Sequence, residues 1–432
     1  MLVGFFPFVL TNLHFYVAVD SWAEWIGYVH GAEISLLDVL AVALYLSLPA
    51  SRDGLPFRLS MALYFVAVLF SALQAELPVA SLLYSWQLAR MFLIYAVVTR
   101  GTAADPRVAP ALLTGMAAGI FIEAGVAVWE RFVLGILQAR GTLEHQNTLG
   151  LMSHLVVLPF FALLLARRRG WMPPAVLAAG LAIEVLTASR ATLGLAGVGY
   201  LMIFLASAFR GWSARKAAVL CIGLAGIAIV TPMALSAFAQ RGQASLESSD
   251  DERVALESAA AAMVSDHPWG VGANHFVFVA NAHGYFERAG VLWNSYAANV
   301  HNMYWLVTAE TGYLGLVTLL FLLFRPLCVA LICGWRYRGD ERGDLLLGLG
   351  VALLVVYIHS SLEWILVSFE PQYLLSIEIG LVGGLAQQLG YWSRRSPQAI
   401  GLSGRNGGKQ YERYGIGSPE SANARAFQLK RN

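Results

Sequence analysis

The apolar residues of this chain fall in runs of about 17–25 residues, the length a helix needs to cross roughly 30 Å of hydrocarbon. These runs recur over residues 2–19, 34–50, 58–75, 79–98, 109–129, 147–166, 172–188, 191–209, 217–238, 302–324, 344–362 and 371–390. Inside a bilayer no water can satisfy backbone N–H and C=O groups, so each run has to satisfy its own and reads as a helix. The composition agrees: 58% of residues are hydrophobic and only 13% charged, whereas soluble domains are nearer 45–50% apolar and about a quarter charged. The expected fold class is an all-α polytopic membrane protein of about 12 transmembrane helices.

Charge placement sets the expected orientation. With the N-terminus inside, the inner turns hold Arg52, Arg107, Arg167, Arg168, Arg169, Arg210, Arg215, Lys216, Arg336, Arg338 and Arg342, and the basic tail from Arg394 joins them. The opposite turns hold Asp20, Glu24, Glu33 and Glu76, with Trp22 and Trp25 as expected interface anchors. This is a positive-inside pattern with both termini cytoplasmic. The first run lacks a basic n-region and a small-residue cleavage site, so it reads as the first span or a re-entrant segment rather than a signal peptide. Cys221, Cys328 and Cys333 all lie in apolar runs without CxxC or CxxH spacing, which supports neither a disulfide framework nor a metal site.

Two stretches break the rhythm, Glu130–Asn147 and Gln240–Val300. Both fall on the outer face, and long ordered loops tend to carry function. Ser248–Ser265 reads as a helix on that surface. The division expected is a transmembrane catalytic domain over 1–392, with a periplasmic loop at 239–300, and a disordered cytoplasmic tail over 393–432.

Polar residues at the membrane boundary are costly and therefore candidates for function. They form four clusters: Gly141–Asn147 with Glu144 and His145; Ser189–Thr192 with Arg190; Asp251–Arg253 with Asp266–Phe276; and His301-Asn302 with Glu310–Gly312. Ser189 can cap a helix and leave Arg190 in its first turn, where free N–H groups and a guanidinium make an anion site; an ion pair with Glu184 is the plain alternative. Arg253, read into the first turn of the loop helix, faces an unfavourable dipole, and Asp250, Asp251 and Glu252 offer it a local salt bridge. His301 stands where the chain re-enters the membrane, and the positive end of the helix that follows favours a neutral ring with a lone pair for general-base work. Glu144 and Glu310 are the carboxylates best placed to orient a histidine, although Glu310 lies too far along a straight helix to reach His301. His145, Asn147, His267 and Asn302 are secondary candidates, while His275, His283 and His359 read as structural. Arg90, inside the fourth span, reads as a buried arginine paired with an acid or carbonyl.

Read together, the clusters resemble the O-antigen ligase and polymerase family of bacterial envelope glycosyltransferases. Arg253 followed by Asp266-His267-Pro268-Trp269-Gly270-Val271-Gly272-Ala273-Asn274-His275-Phe276 is similar to that family's Arg…hPhhGhGxxxF signature. His301-Asn302-Met303-Tyr304…Glu310-Thr311-Gly312 is similar to its HN…ETG signature. The resemblance implies a C-type membrane glycosyltransferase fold in the bacterial inner membrane, with the active site facing the periplasm. It implies that Arg190 and Arg253 hold the pyrophosphate of an undecaprenyl-linked glycan donor, and that His301 activates or orients an acceptor hydroxyl. It implies no cofactor, nucleotide sugar or ATP, and the chain has no P-loop and no Asp-x-Asp pair in its outer loops. The acceptor stays open between lipid A–core, another lipid-linked unit and a protein hydroxyl, with a ligase ahead of a polymerase. A transporter is the rival class, and a non-catalytic scaffold the third; a transporter should show internal repeats, and none is found.

Overall fold

The structure is a computed structural model, and it describes residues 1–49, 54–166, 170–241 and 243–392. A short helix α1 (Leu2–Phe5), one 3-10 turn and a two-stranded antiparallel hairpin, β1 (Tyr16–Ser21) and β2 (Gly31–Ser35), open the chain. Helices α2 (Leu36–Ser47), α3 (Arg58–Ser71), α4 (Pro78–Ala104), α5 (Val108–Phe132), α6 (Gln146–Leu165), α7 (Met172–Leu186), α8 (Arg190–Arg210) and α9 (Ala214–Arg241) follow. The loop region carries α10 (Gln243–Asp266), α11 (Phe276–Ala282) and α12 (Tyr285–Ala289); the bundle then closes with α13 (Met303–Arg336), α14 (Glu341–His359) and α15 (Phe369–Gln388).

Among the described residues six helices are long and apolar enough to cross a membrane: α4, α5, α6, α8, α13 and α14. Helices α2, α3 and α7 are apolar but shorter. Every expected run except the first contains a helix over most of its length. The run over 2–19 instead breaks after α1, because Pro7 opens a tight turn and Tyr16-Val17-Ala18-Val19 takes up a strand. The expectation of a cytoplasmic N-terminus rested on that span. Parts of the expected inner basic turns (Arg52 and Arg167–Arg169) and the tail over 393–432 lie outside the described residues.

Helix α6 is the centre of the bundle and packs on α7, α8 and α14. Its sequence explains this, since from Leu149 to Leu165 it is apolar on nearly every face, and such a helix is buried all round. Gly348 of α14 meets it closely, as a Cβ there would stand 2.7 Å from Pro159 Cα. Arg90 is buried, with Nε 2.8 Å from Asp38 Oδ2 and a terminal nitrogen 2.5 Å from the Tyr373 hydroxyl, the paired state expected of it. Trp25 is no interface anchor: it is buried between Trp22, His275 and Phe278.

Candidate active site

The loop region is fixed to the bundle by a backbone clamp. Helix α13 kinks at Gly312, whose φ of 69° suits glycine. The Pro268–Gly272 segment lies against that kink: Val271 N donates to Ala309 O at 3.0 Å, Gly272 N to Glu310 O at 2.8 Å, and Tyr313 N to Pro268 O at 3.1 Å. A Cβ on Gly312 would stand 2.4 Å from the Trp269 carbonyl carbon. The Glu310 carboxylate is 1% exposed and accepts from Phe276 N at 3.0 Å and from the Tyr28 hydroxyl at 2.7 Å. Asn274, in the left-handed region at φ 65°, bonds both backbone groups of Val29. The two most recognisable sequence motifs therefore hold each other and the N-terminal hairpin in place.

The chemistry gathers elsewhere, around a residue that sequence reasoning missed. Glu363 sits in the turn after α14 and is 2% exposed. Arg253 donates to its Oε1 at 2.7 Å, Asn147 Nδ2 donates to the same oxygen at 2.5 Å, and His301 Nδ1 lies 3.0 Å from Oε2. A carboxylate only accepts, so Nδ1 carries the hydrogen of this bond and Nε2 is the ring nitrogen left to face a substrate. Burial pushes the Glu363 carboxyl up, but the His301 hydrogen bond and the charges of His301 and Arg253 outweigh it and hold the group below the ordinary carboxylate value.

Local structure aims each partner. Asn302 caps α13 by accepting from Tyr304 N and Trp305 N, and its Nδ2 donates to Glu257 of α10 at 3.2 Å, which fixes His301 next door. His145 caps α6, with Nδ1 accepting from Asn147 N at 3.2 Å, and so positions Asn147. The preceding Arg140–Thr142 backbone is gripped by Glu123 and Glu130 of α5. His301 keeps 25% of its side chain exposed and Arg253 keeps 30%, so both remain reachable.

Arg190 stands in the first turn of α8 behind its Ser189 cap, as expected, and pairs with Asp250 at 3.0 Å rather than with Glu184. Glu184 instead accepts from the Tyr200 hydroxyl. The Arg190–Asp250 pair is half exposed on both sides, so it is worth under about 1 kcal/mol and can exchange for another anion. Asp250 and Arg253 share one face of α10, which brings the two arginines to the same end of the bundle. The first-turn reading of Arg253 is corrected: α10 begins at Gln243, the residue lies well inside the helix, and its partner is the remote Glu363 instead of a neighbouring acid. Glu310 serves the clamp, Glu144 and His267 are exposed and take no part in the Glu363 contacts, and neither carboxylate favoured from the sequence orients His301.

Glu363 leaves a faint signal, a carboxylate closing an apolar run at Ser360-Ser361-Leu362-Glu363. Its partners lie 62, 110 and 216 residues away, which no local pattern reveals. What results is a helical membrane protein that presents a histidine–carboxylate pair beside two arginines at one end of its bundle, an arrangement suited to binding a polyanion and deprotonating a hydroxyl. Residues 174–320 match the family model described as O-antigen ligase, and this match supports the O-antigen ligase family for the chain. The matched stretch takes in Arg190, Arg253, His267, His301, Asn302 and Glu310 and leaves Asn147 and Glu363 outside it. No curated protein matches the chain.

Proposed function

We propose that this protein transfers an undecaprenyl-pyrophosphate-linked glycan to an acceptor hydroxyl at the periplasmic face of the inner membrane, with lipid A–core the first acceptor to test and a second lipid-linked glycan the alternative. The observation that carries the reading is the His301–Glu363 hydrogen bond beside Arg253. A lipid pyrophosphate is already an activated leaving group, so the enzyme has to bind its charge, align a hydroxyl with the anomeric carbon and take a proton. His301 Nε2 takes the proton; Glu363 orients the ring and stabilises the imidazolium, the role a carboxylate plays behind a histidine in hydrolytic triads. Arg253 and Arg190 take the pyrophosphate, Arg190 by exchanging Asp250 for a phosphate oxygen. The excess of Arg and Lys in the opposite turns supports a periplasmic loop and a cytoplasmic tail over 393–432.

The test uses the purified full chain in vesicles with a lipid-linked glycan donor and either lipid A–core or further donor. A ligase gives single additions to lipid A–core, and a polymerase gives a ladder on the lipid-linked glycan. Glycan that only crosses the bilayer, with no covalent product, would mark a transporter and overturn the proposal.

A further inference from the structure

Two tryptophans of the loop region stand largely open, and their surroundings differ. Trp269, 59% exposed, meets Phe70 near the end of α3 edge-on, with ring centroids 6.2 Å apart. Tyr313 N donates to Pro268 O, and from Tyr313 onward α13 carries an exposed stripe with Leu314 and Val317. An aromatic ring on such an apolar face suits the membrane boundary. Trp293, 83% exposed, stands instead on a 3-10 turn (Trp293–Ser295) between α12 and α13. Leu292 before it is also open, but Asn294 after it and Glu287 and Arg288 on α12 are exposed and polar. Hydrocarbon is a costly place for such groups, so this ring is offered to water.

The ring is held firmly for an exposed one. Trp293 packs on Tyr296 at 5.2 Å between centroids, Tyr296 on Phe286 at 5.6 Å, and Phe286 on Phe276 at 5.8 Å. Phe286 and Phe276 are buried, and Phe276 N donates to Glu310, so this aromatic ladder is rooted in the clamp. Tyr296 O accepts from Asn281 Nδ2 at 2.8 Å. A face fixed in advance loses little freedom when something covers it. The turn is also tied to the transfer site. Ser295 Oγ donates to the Glu252 carboxylate, and Glu252 precedes Arg253 in α10. Two residues of chain span at most about 7 Å, so Trp293 stands close to the turn of α10 that carries Arg253.

We propose that Trp293, with Asn294 at its edge, is a stacking platform for a pyranose ring of the substrate glycan, on the water side of Arg253. The inference rests on the substrate being a glycan, as the transfer reading has it. A pyranose shows C–H groups on one face and hydroxyls around its rim. The C–H face covers the electron-rich face of the indole, and the Asn294 amide can both donate to and accept from the rim hydroxyls. Neither contact needs charge. The platform therefore recognises the sugar, while the arginines recognise the pyrophosphate. The donor glycan and a lipid A–core acceptor both supply such a ring, and the test separates them. Trp293 is a binding residue and takes no part in moving the proton.

The test is Trp293→Ala in the full chain in vesicles, with Trp293→Leu and Trp293→Phe beside it. The expected result is a rise in KM for one glycan substrate of about 3–10-fold in the alanine and leucine variants, with kcat near wild type. Phenylalanine, which keeps a flat ring, recovers most of the loss. A rise confined to the donor assigns the ring to the donor glycan, and one confined to the acceptor assigns it to the acceptor. A leucine variant with wild-type KM marks a membrane anchor and overturns the platform. Binding is read separately, by NMR saturation transfer to two lipid-free probes: the oligosaccharide cleaved from the donor by mild acid, and the core oligosaccharide freed of lipid A. Wild type should transfer saturation to at least one of them and Trp293→Ala should not; equal signals, or none from wild type, overturn the platform. This arm needs no turnover, so a wild type that makes no covalent product removes the transfer reading while the binding result still decides the platform.

Discussion

Glu310 and Glu363 are both buried carboxylates at the loop end of the bundle, 1% and 2% exposed, yet they hold different things. Glu310 accepts from a backbone N–H and a buried phenol, so it staples the Trp269–Phe276 segment to the kink of α13. Glu363 accepts from an arginine, a histidine and an asparagine. A carboxylate bound to backbone has a folding role and little freedom to do more. One bound to partly exposed, ionisable side chains gathers groups that can still turn to a substrate. Motif membership singles out Glu310, whereas contact chemistry singles out Glu363.

The largest expected effect separates the two directly. His301→Ala should lower transfer by about 10²–10⁴-fold, the usual worth of a positioned base, while a labelled lipid-linked donor still binds; loss of donor binding would make His301 a binding residue instead. Arg253→Lys should follow, with most activity lost although charge is kept, because lysine cannot grip phosphate oxygens in two prongs. Arg190→Lys should lose activity too, through donor KM above all. Wild-type rates in both lysine variants would break the pyrophosphate assignment.

Smaller effects sharpen the structural half. Glu310→Gln should cost about 1–3 kcal/mol of stability in chemical denaturation and leave turnover per folded molecule near wild type. A Glu310→Gln enzyme that is stable but inactive would move the chemistry back to the clamp. The smallest effect is in acid. Glu363 is held below its ordinary value in the folded protein, so it adds stability above the unfolded value of about 4.3. That contribution is lost as pH falls through the lower folded value. Between about pH 5 and pH 3 wild type should therefore lose more stability than Glu363→Gln.

Much of this is legible in the residues. The apolar runs mark the helices, Ser189 caps α8 as its position suggests, the loop helix exists, and Arg90 is paired. The N-terminal run misleads because its mean hydropathy outweighs the Pro7 turn and the strand over Tyr16–Ser21. Arg253 and His301 are legible as candidates but their shared partner is not, because three long-range side-chain contacts define it. The start of α10 is also hidden, since Gln243–Ser248 carries no capping signal to compete with Ser248-Ser249-Asp250-Asp251.

The central claim is that Glu363 works through His301, and a double-mutant cycle on transfer rate tests it most directly. Residues that act as one unit are strongly non-additive. If the account holds, Glu363→Gln and His301→Ala each impair transfer, and the double variant is no slower than His301→Ala alone. If the two losses multiply, Glu363 acts on transfer by a route that does not pass through His301, and the assignment of the pair as one base is wrong.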